Sequence, residues 1–361
     1  MSHRIVIDAR ELRTSSGRYV ERLLHYLQSV DFDNRYSVLL KPEDVDGWTP
    51  VNSNFDVVAC PFKEFSFGEQ IGFMRLVKSL KADLVHFTFA QQPIWYSRPV
   101  VTTIQDLTTL RFDNPDKNPL VFKFKQRVYK YVVKRVAIKS VRLITPSFFV
   151  RDDVVAFAGV DPDKITVTYE AAEKIADVAE PISDLAGKPF VLYVGRPTPH
   201  KNLDRLIEAF SLLNSQHPDL KLVLAGKKDA NYARVESKKV QGVVFTDFVS
   251  EGQLRWLYEN CQAYVFPSMS EGFGLPGLEA MVHGAPVISS NATCLPEIYE
   301  DAAHYFDPLD VKAMSDAINE VLTDKELRSG LIAHGSAQVS KFSWQRMAEQ
   351  TLEVYKQMLT N

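Results

Sequence analysis

Short apolar runs alternate with amphipathic stretches along the whole chain. In the first half, residues 5–7, 36–40, 56–59, 84–87, 100–104 and 143–145 read as strands. In the second half the same reading falls on 190–194, 220–225, 243–246, 263–266 and 286–289. Residues 19–27, 203–213, 253–260 and 278–283 carry apolar positions at helical spacing. The strand runs are short and apolar at nearly every position, the pattern of strands covered on both faces. Strand–helix alternation of this kind predicts an α/β protein with parallel sheets. Residues 168–189 have weak periodicity, mixed charge and two prolines. They predict a join, with one domain over 1–172 and a second over 173–342. Such sheets bind ligands beyond the carboxyl ends of their strands.

Composition narrows the class. A chain of 361 residues is long enough for two domains. Its 45% hydrophobic and 24% charged content suits a soluble globular protein, and a net charge of −3 exerts no global pull on nucleic acid. Cys60, Cys261 and Cys294 are scattered and odd in number, which predicts buried thiols. The N-terminus enters a strand at once, without a signal-peptide apolar region, and no run is as long as a membrane span. A cytoplasmic location is expected.

The richest chemistry lies in Glu271-Gly272-Phe273-Gly274-Leu275-Pro276-Gly277-Leu278-Glu279. A glycine turn there opens a helix between two carboxylates. Backbone N–H groups at a helix start favour an anion. Ionised carboxylates accept strong hydrogen bonds from sugar hydroxyls. Together these suit a nucleotide sugar. The same residues spell G-x-G-x-x-G, and Glu297 lies 20 residues past Gly277. A dinucleotide site wants its acid at the end of the next strand, which here ends in Ser289-Ser290-Asn291. A purely structural turn with two solvated glutamates is the third reading. A second loop, Gly195 to Asn202, follows the strand at 190–194 and carries Arg196 and Lys201. These cations could neutralise a diphosphate, with Asn202 capping the next helix.

Several motifs together resemble the retaining glycosyltransferases of family 4, the group 1 glycosyl transferases. In the second half these are Val194-Gly195-Arg196, Lys201-Asn202-Leu203, Leu224-Ala225-Gly226, Phe248-Val249-Ser250 and the Glu-x7-Glu segment. In the first half they are Ile7-Asp8-Ala9-Arg10, Gly17-Arg18-Tyr19, Asp83-Leu84-Val85-His86, Ile104-Gln105-Asp106-Leu107 and Thr145-Pro146-Ser147. Phe342-Ser343-Trp344 completes the set. The resemblance implies a GT-B fold, two Rossmann-like domains facing across a cleft. A C-terminal helix, 343–361, would cross back to an N-terminal acceptor domain, leaving 173–342 as the nucleotide-sugar donor domain.

Roles follow by matching position. Glu279 would hold the ribose and Glu271 the transferred sugar. Backbone groups of Phe273, Gly274 and Leu275 would hold sugar and distal phosphate. Arg196 and Lys201 would stabilise the leaving diphosphate. Lys227 and Phe248-Val249 would frame the base. Gly17 would let the backbone approach the donor. Gln105 and Asp106 occupy the loop where many relatives carry His-Asp, so a proton-carrying side chain is replaced by an amide. The resemblance implies retention of configuration, no cofactor and no metal, and a glycan or lipid-linked acceptor. Gly17-Arg18-Tyr19 leans toward GDP-mannose. A nucleotide-sugar epimerase or hydrolase, and an idle sugar-nucleotide-binding subunit, are the alternatives.

Asp31-Phe32-Asp33 and Asp161-Pro162-Asp163 spell D-x-D but sit in turns, where solvated carboxylates are expected. His86 and His200 read as structural or merely exposed histidines. Residues 117–142 hold nine Lys or Arg, no acid, and interleaved Phe122, Phe124, Tyr129 and Tyr131. Two readings stand: a basic helix on an anionic membrane, or a domain helix with a solvated basic face.

Overall fold

The computed structural model describes residues 2–14, 17–64, 66–112, 119–227, 230–236 and 239–360. Side chains of 119–121 and 230–231 are outside that description. Lys117, the first residue of the basic stretch, falls outside it. Two compact units are present. Unit 1 takes the described residues up to 111, those in 119–170, and 343–360; unit 2 takes Phe112 and 171–342. The expected join was 172/173.

Unit 1 is a seven-stranded parallel sheet. Its strands are β1 (Arg4–Asp8), β2 (Arg35–Leu40), β3 (Phe55–Ala59), β4 (Leu84–Phe87), β5 (Val100–Thr103), β6 (Arg142–Thr145) and β7 (Ile165–Val167). They run in the order 3-2-1-4-5-6-7. Unit 2 holds β8 (Phe190–Val194), β9 (Lys221–Ala225), β10 (Val243–Asp247), β11 (Ala263–Phe266), β12 (Val287–Ser290) and β13 (Ala303–Phe306). Their order is 10-9-8-11-12-13, again all parallel. Both sheets reverse direction of winding once, between β1 and β4 and between β8 and β11. These are the topological switch points of doubly wound sheets, where ligands settle at the carboxyl ends.

The central strands form because both faces are covered: every residue of β4, β5, β11 and β12 is buried. β12 buries Ser289 and Ser290, whose hydroxyls donate to the carbonyls of Ser290 and Ser268. Apolar runs alone did not reveal β13, whose His304 and Tyr305 are only half buried. The helices Val311–Thr323 and Lys325–Val339 also went unread.

The C-terminal helix Trp344–Leu359 belongs to unit 1 and packs along the helix Arg18–Val30. Its Tyr355 hydroxyl meets His86 Nδ1 at 2.5 Å, and His86 Nε2 meets Thr103 Oγ1 at 2.8 Å. Burial drives the His86 imidazolium out, to a pKa of about 3. His86 is thus a neutral core residue. Asp31 corrects the expectation of a solvated carboxylate. It is 3% exposed and accepts from Asp33 N, Asn34 N, Asn34 Nδ2 and Tyr36 Oη, organising the turn into β2. Asp161 Oδ1 accepts from Asp163 N in a second turn. All three cysteines are buried and free. Among the described residues no helix is long and apolar enough to cross a membrane.

Candidate active site

Two loops flank the switch point of unit 2, one after β8 and one after β11. The first bends at Gly195, φ 145°, where a Cβ would meet the Tyr193 hydroxyl at 2.9 Å. It then makes a short turn, Pro199–Lys201, and passes through Asn202 in the left-handed region, φ 62°. Asn202 does not cap the following helix with its side chain, contrary to expectation. Its buried amide instead donates to Pro267 O (3.1 Å) and Pro308 O (2.7 Å). Met269 N donates to His200 O at 2.7 Å. The two loops are therefore laced together by neutral hydrogen bonds.

Across that lacing Lys201 Nζ meets Glu271 Oε1 at 2.5 Å, with side chains 18% and 13% exposed. The ammonium also sits 5.5 Å from the Phe266 ring centroid. Glu271 is fixed through its backbone, N–H to Thr293 Oγ1 at 3.1 Å, with Thr293 at φ 53°. The sequence reading gave Lys201 and Glu271 separate partners; they are one ion pair. Burial, then the charges of Tyr232 and Glu271, hold the Tyr193 phenol well above its ordinary pKa, so it stays neutral.

Gly274 and Gly277 of the Glu-x7-Glu segment answer to Tyr299. Its hydroxyl donates to Gly274 O at 2.5 Å. A Cβ on Gly274 would meet that hydroxyl at 2.6 Å, and one on Gly277 at 2.3 Å. Gly274, φ 95°, also needs glycine for its backbone. The second and third glycines of the spacing that resembles a dinucleotide fingerprint are thus packing requirements. The helix Leu275–Val282 starts here with Phe273 buried beneath it. One turn in, Glu279 Oε2 accepts from Tyr258 Oη at 3.4 Å. Arg196 is exposed and forms no ion pair among the described residues. Lys227 is exposed on the loop after β9, and Val249 is half buried on the loop after β10. All nine predicted unit 2 residues thus gather at one end of one sheet.

Unit 1 holds the other three. Gly17 precedes the helix Arg18–Val30, and a Cβ there would strike Leu12 O at 2.2 Å and Glu11 O at 2.4 Å. The loop itself requires glycine. Asp106 Oδ1 accepts from Thr108 N at 2.7 Å, a turn cap. Gln105 lies beside the buried carboxyl of Glu170. Burial raises Glu170 to about 8, and the Gln105 amide opposes this only in part, being near the carboxyl without good hydrogen-bond geometry.

Residues 179–338 match the family described as glycosyl transferases group 1, and residues 17–172 match Glycosyltransferase Family 4. The chain is 34% identical over 276 residues to O-antigen chain mannosyltransferase B of Escherichia coli, covering 71% of this chain and 70% of that one. The chain belongs to the group 1, family 4 glycosyltransferases. This glycosyltransferase is also 33% identical over 249 residues to the serotype-specific mannosyltransferase WbdA of Escherichia coli, 66% of this chain but 29% of that longer one. Sucrose-phosphate synthase from Thermosynechococcus elongatus shares its fold, with a TM-score of 0.78 at 18% identity over 99% of both chains. The GT-B class, two Rossmann-like units, is thereby established.

Sequence reasoning missed one part of this glycosyltransferase. At the carboxyl end of β1, Arg10 is 2% exposed and donates to Asp8 (2.7 and 2.8 Å) and Glu69 (3.0 Å) over the Phe73 ring. Arg10 stood in a quoted motif, but Glu69 is distant in sequence and nothing marked it as the partner.

Proposed function

We propose that this glycosyltransferase moves a hexose, mannose favoured, from a nucleoside-diphosphate sugar to a glycan or lipid-linked acceptor. The Lys201–Glu271 pair at the unit 2 switch point is the observation that carries this reading. Breaking the anomeric C–O bond pushes negative charge onto the departing diphosphate. A lysine held in place by a carboxylate, an exposed Arg196 and a helix start form a preorganised set for that charge. Glu271 would keep one oxygen for a sugar hydroxyl while the other holds Lys201. Glu279 would accept from the ribose. No step in this reading calls for a metal, and family likeness favours retention of configuration. The mannosyl preference rests on the Gly17-Arg18-Tyr19 likeness and on the relatives' names.

The helix Pro119–Lys139 supports a peripheral membrane contact on the cytoplasmic face. Lys123, Arg127, Lys130 and Lys134 are exposed along one stripe of it. Phe124 (66%), Tyr131 (61%) and Ile138 (47%) are exposed along the next. Adjacent basic and apolar stripes suit an anionic lipid surface.

The test is labelled-sugar transfer from GDP-mannose to lipid-extracted or oligosaccharide acceptors, in native protein and Lys201→Ala. Acceptor-dependent transfer, lost in Lys201→Ala, is expected. Donor turnover that needs no acceptor would instead favour the epimerase or hydrolase. Co-sedimentation with anionic but not neutral vesicles tests the helix.

A further inference from the structure

His283 closes the helix Leu275–Val282, which carries Glu279, and is 7% exposed. Each of its ring nitrogens has a backbone partner. Nε2 lies 3.1 Å from Ile175 N, and Nδ1 lies 2.7 Å from Glu279 O. A backbone N–H can only donate, so Nε2 is bare. A carbonyl can only accept, so Nδ1 holds the proton. The partners thus select a neutral ring in one tautomer. Burial, the largest cause, likewise holds His283 below its ordinary pKa. Three charged groups face the ring: Glu259 and Glu279 favour its protonation, and Lys174 opposes it. Glu259 is itself paired with Arg255 at 2.8 Å and with Lys174 at 3.5 Å.

The ring joins three pieces of unit 2. Ile175 lies near the start of the run 171–342. Arg255, on the helix Glu251–Asn260, holds the same segment by donating to Ile175 O at 3.2 Å and Asp177 O at 3.0 Å. From that helix Tyr258 stacks on His283, with ring centroids 5.4 Å apart and planes 15° apart. The Tyr258 hydroxyl is the one that donates to Glu279 Oε2. We propose that His283 is a positioning residue for donor binding: neutral, it clasps the segment at Ile175 and backs Tyr258 against Glu279, and protonated it releases both. The proposal rests on the reading of unit 2 as the donor site. A proton on Nε2 points at the Ile175 N–H, donor against donor. The ring must then swing away or the segment must shift, and Tyr258 loses the face it stacks on. Donor affinity therefore falls as pH falls through the lowered His283 pKa.

Calorimetric titration with GDP-mannose from pH 8 to pH 5 tests this, because a diphosphate esterified at both ends does not titrate in that range. His283→Gln keeps an acceptor for the Ile175 N–H and carries no proton. Between the two pH values the native protein is expected to lose about fivefold more affinity than His283→Gln, the worth of one hydrogen bond. Tyr258→Phe keeps the stack and loses the bond to Glu279. It should bind more weakly than native at pH 8 and share the flatter profile of His283→Gln. A purely structural histidine would shift the melting temperature and leave the native and His283→Gln profiles parallel, and that result overturns the proposal. So does a Tyr258→Phe protein that binds as native does at both ends of the range. Failure of GDP-mannose to bind the native protein at any pH would instead overturn the donor-site reading together with it.

Discussion

Units 1 and 2 share a topology but treat charge at their carboxyl ends in opposite ways. Unit 1 consumes its charges internally: Arg10 with Asp8 and Glu69, and Lys41 with Glu64 at 3.1 Å. Unit 2 braces its loops with neutral hydrogen bonds from Asn202, Thr293 and Tyr299. That leaves Arg196 and Lys227 exposed and ties up one oxygen of Glu271. A sheet end whose scaffold is neutral can offer its ions to a ligand. One whose scaffold is ionic is stiff but has less charge to give.

The largest effect should come from Lys201→Ala. Loss of a preorganised cation at the leaving group lowers kcat by roughly a thousandfold, while the melting temperature moves little. Native-like turnover would erase the distinction between the two ends. Arg10→Met strands two buried carboxylates and should destabilise unit 1 by about 3–5 kcal/mol. Nucleotide affinity in unit 2 should stay within about twofold, because the sites do not share partners. Urea unfolding and calorimetry on the same variant would check both halves of that statement.

Glu170 sharpens the comparison through pH. The folded protein holds this proton to about pH 8, whereas the unfolded chain releases it near 4.5. The unfolded state therefore binds fewer protons between those values, and stability falls as pH rises across that window. Glu170→Gln should abolish that decline, on the order of a few kcal/mol, and melt above native at pH 8.5. A parallel pair of melting curves would refute it. Smallest is Tyr299→Phe, which removes the hydrogen bond to Gly274 O. It should cost about 1 kcal/mol and weaken donor binding severalfold, read by thermal melts with and without GDP.

Much of this was legible because parallel strands buried on both faces leave continuous apolar runs, and because unit 2 gathers its chemistry in two short loops. Glu271, Lys201 and Arg196 stand where the strand ends predict. What stayed hidden depends on distant partners. No local pattern announces that Tyr299 dictates Gly274 and Gly277, or that Glu69 completes Arg10. Asn202 was misread because Asn commonly caps helices, and here two tertiary carbonyls hold its amide nitrogen while its oxygen accepts from Arg205. Asp31 was misread because turn carboxylates usually face water, and Tyr36 and Asn34 instead enclose it.

The helix that carries Tyr355 follows the whole of unit 2 along the chain, yet its hydroxyl closes on His86 in the unit made first. For on the order of ten seconds of synthesis, the early unit must wait with that seat unfilled while the whole of the other unit is translated. A chain stalled or trimmed just before Ser343 would therefore damage the half that was already built.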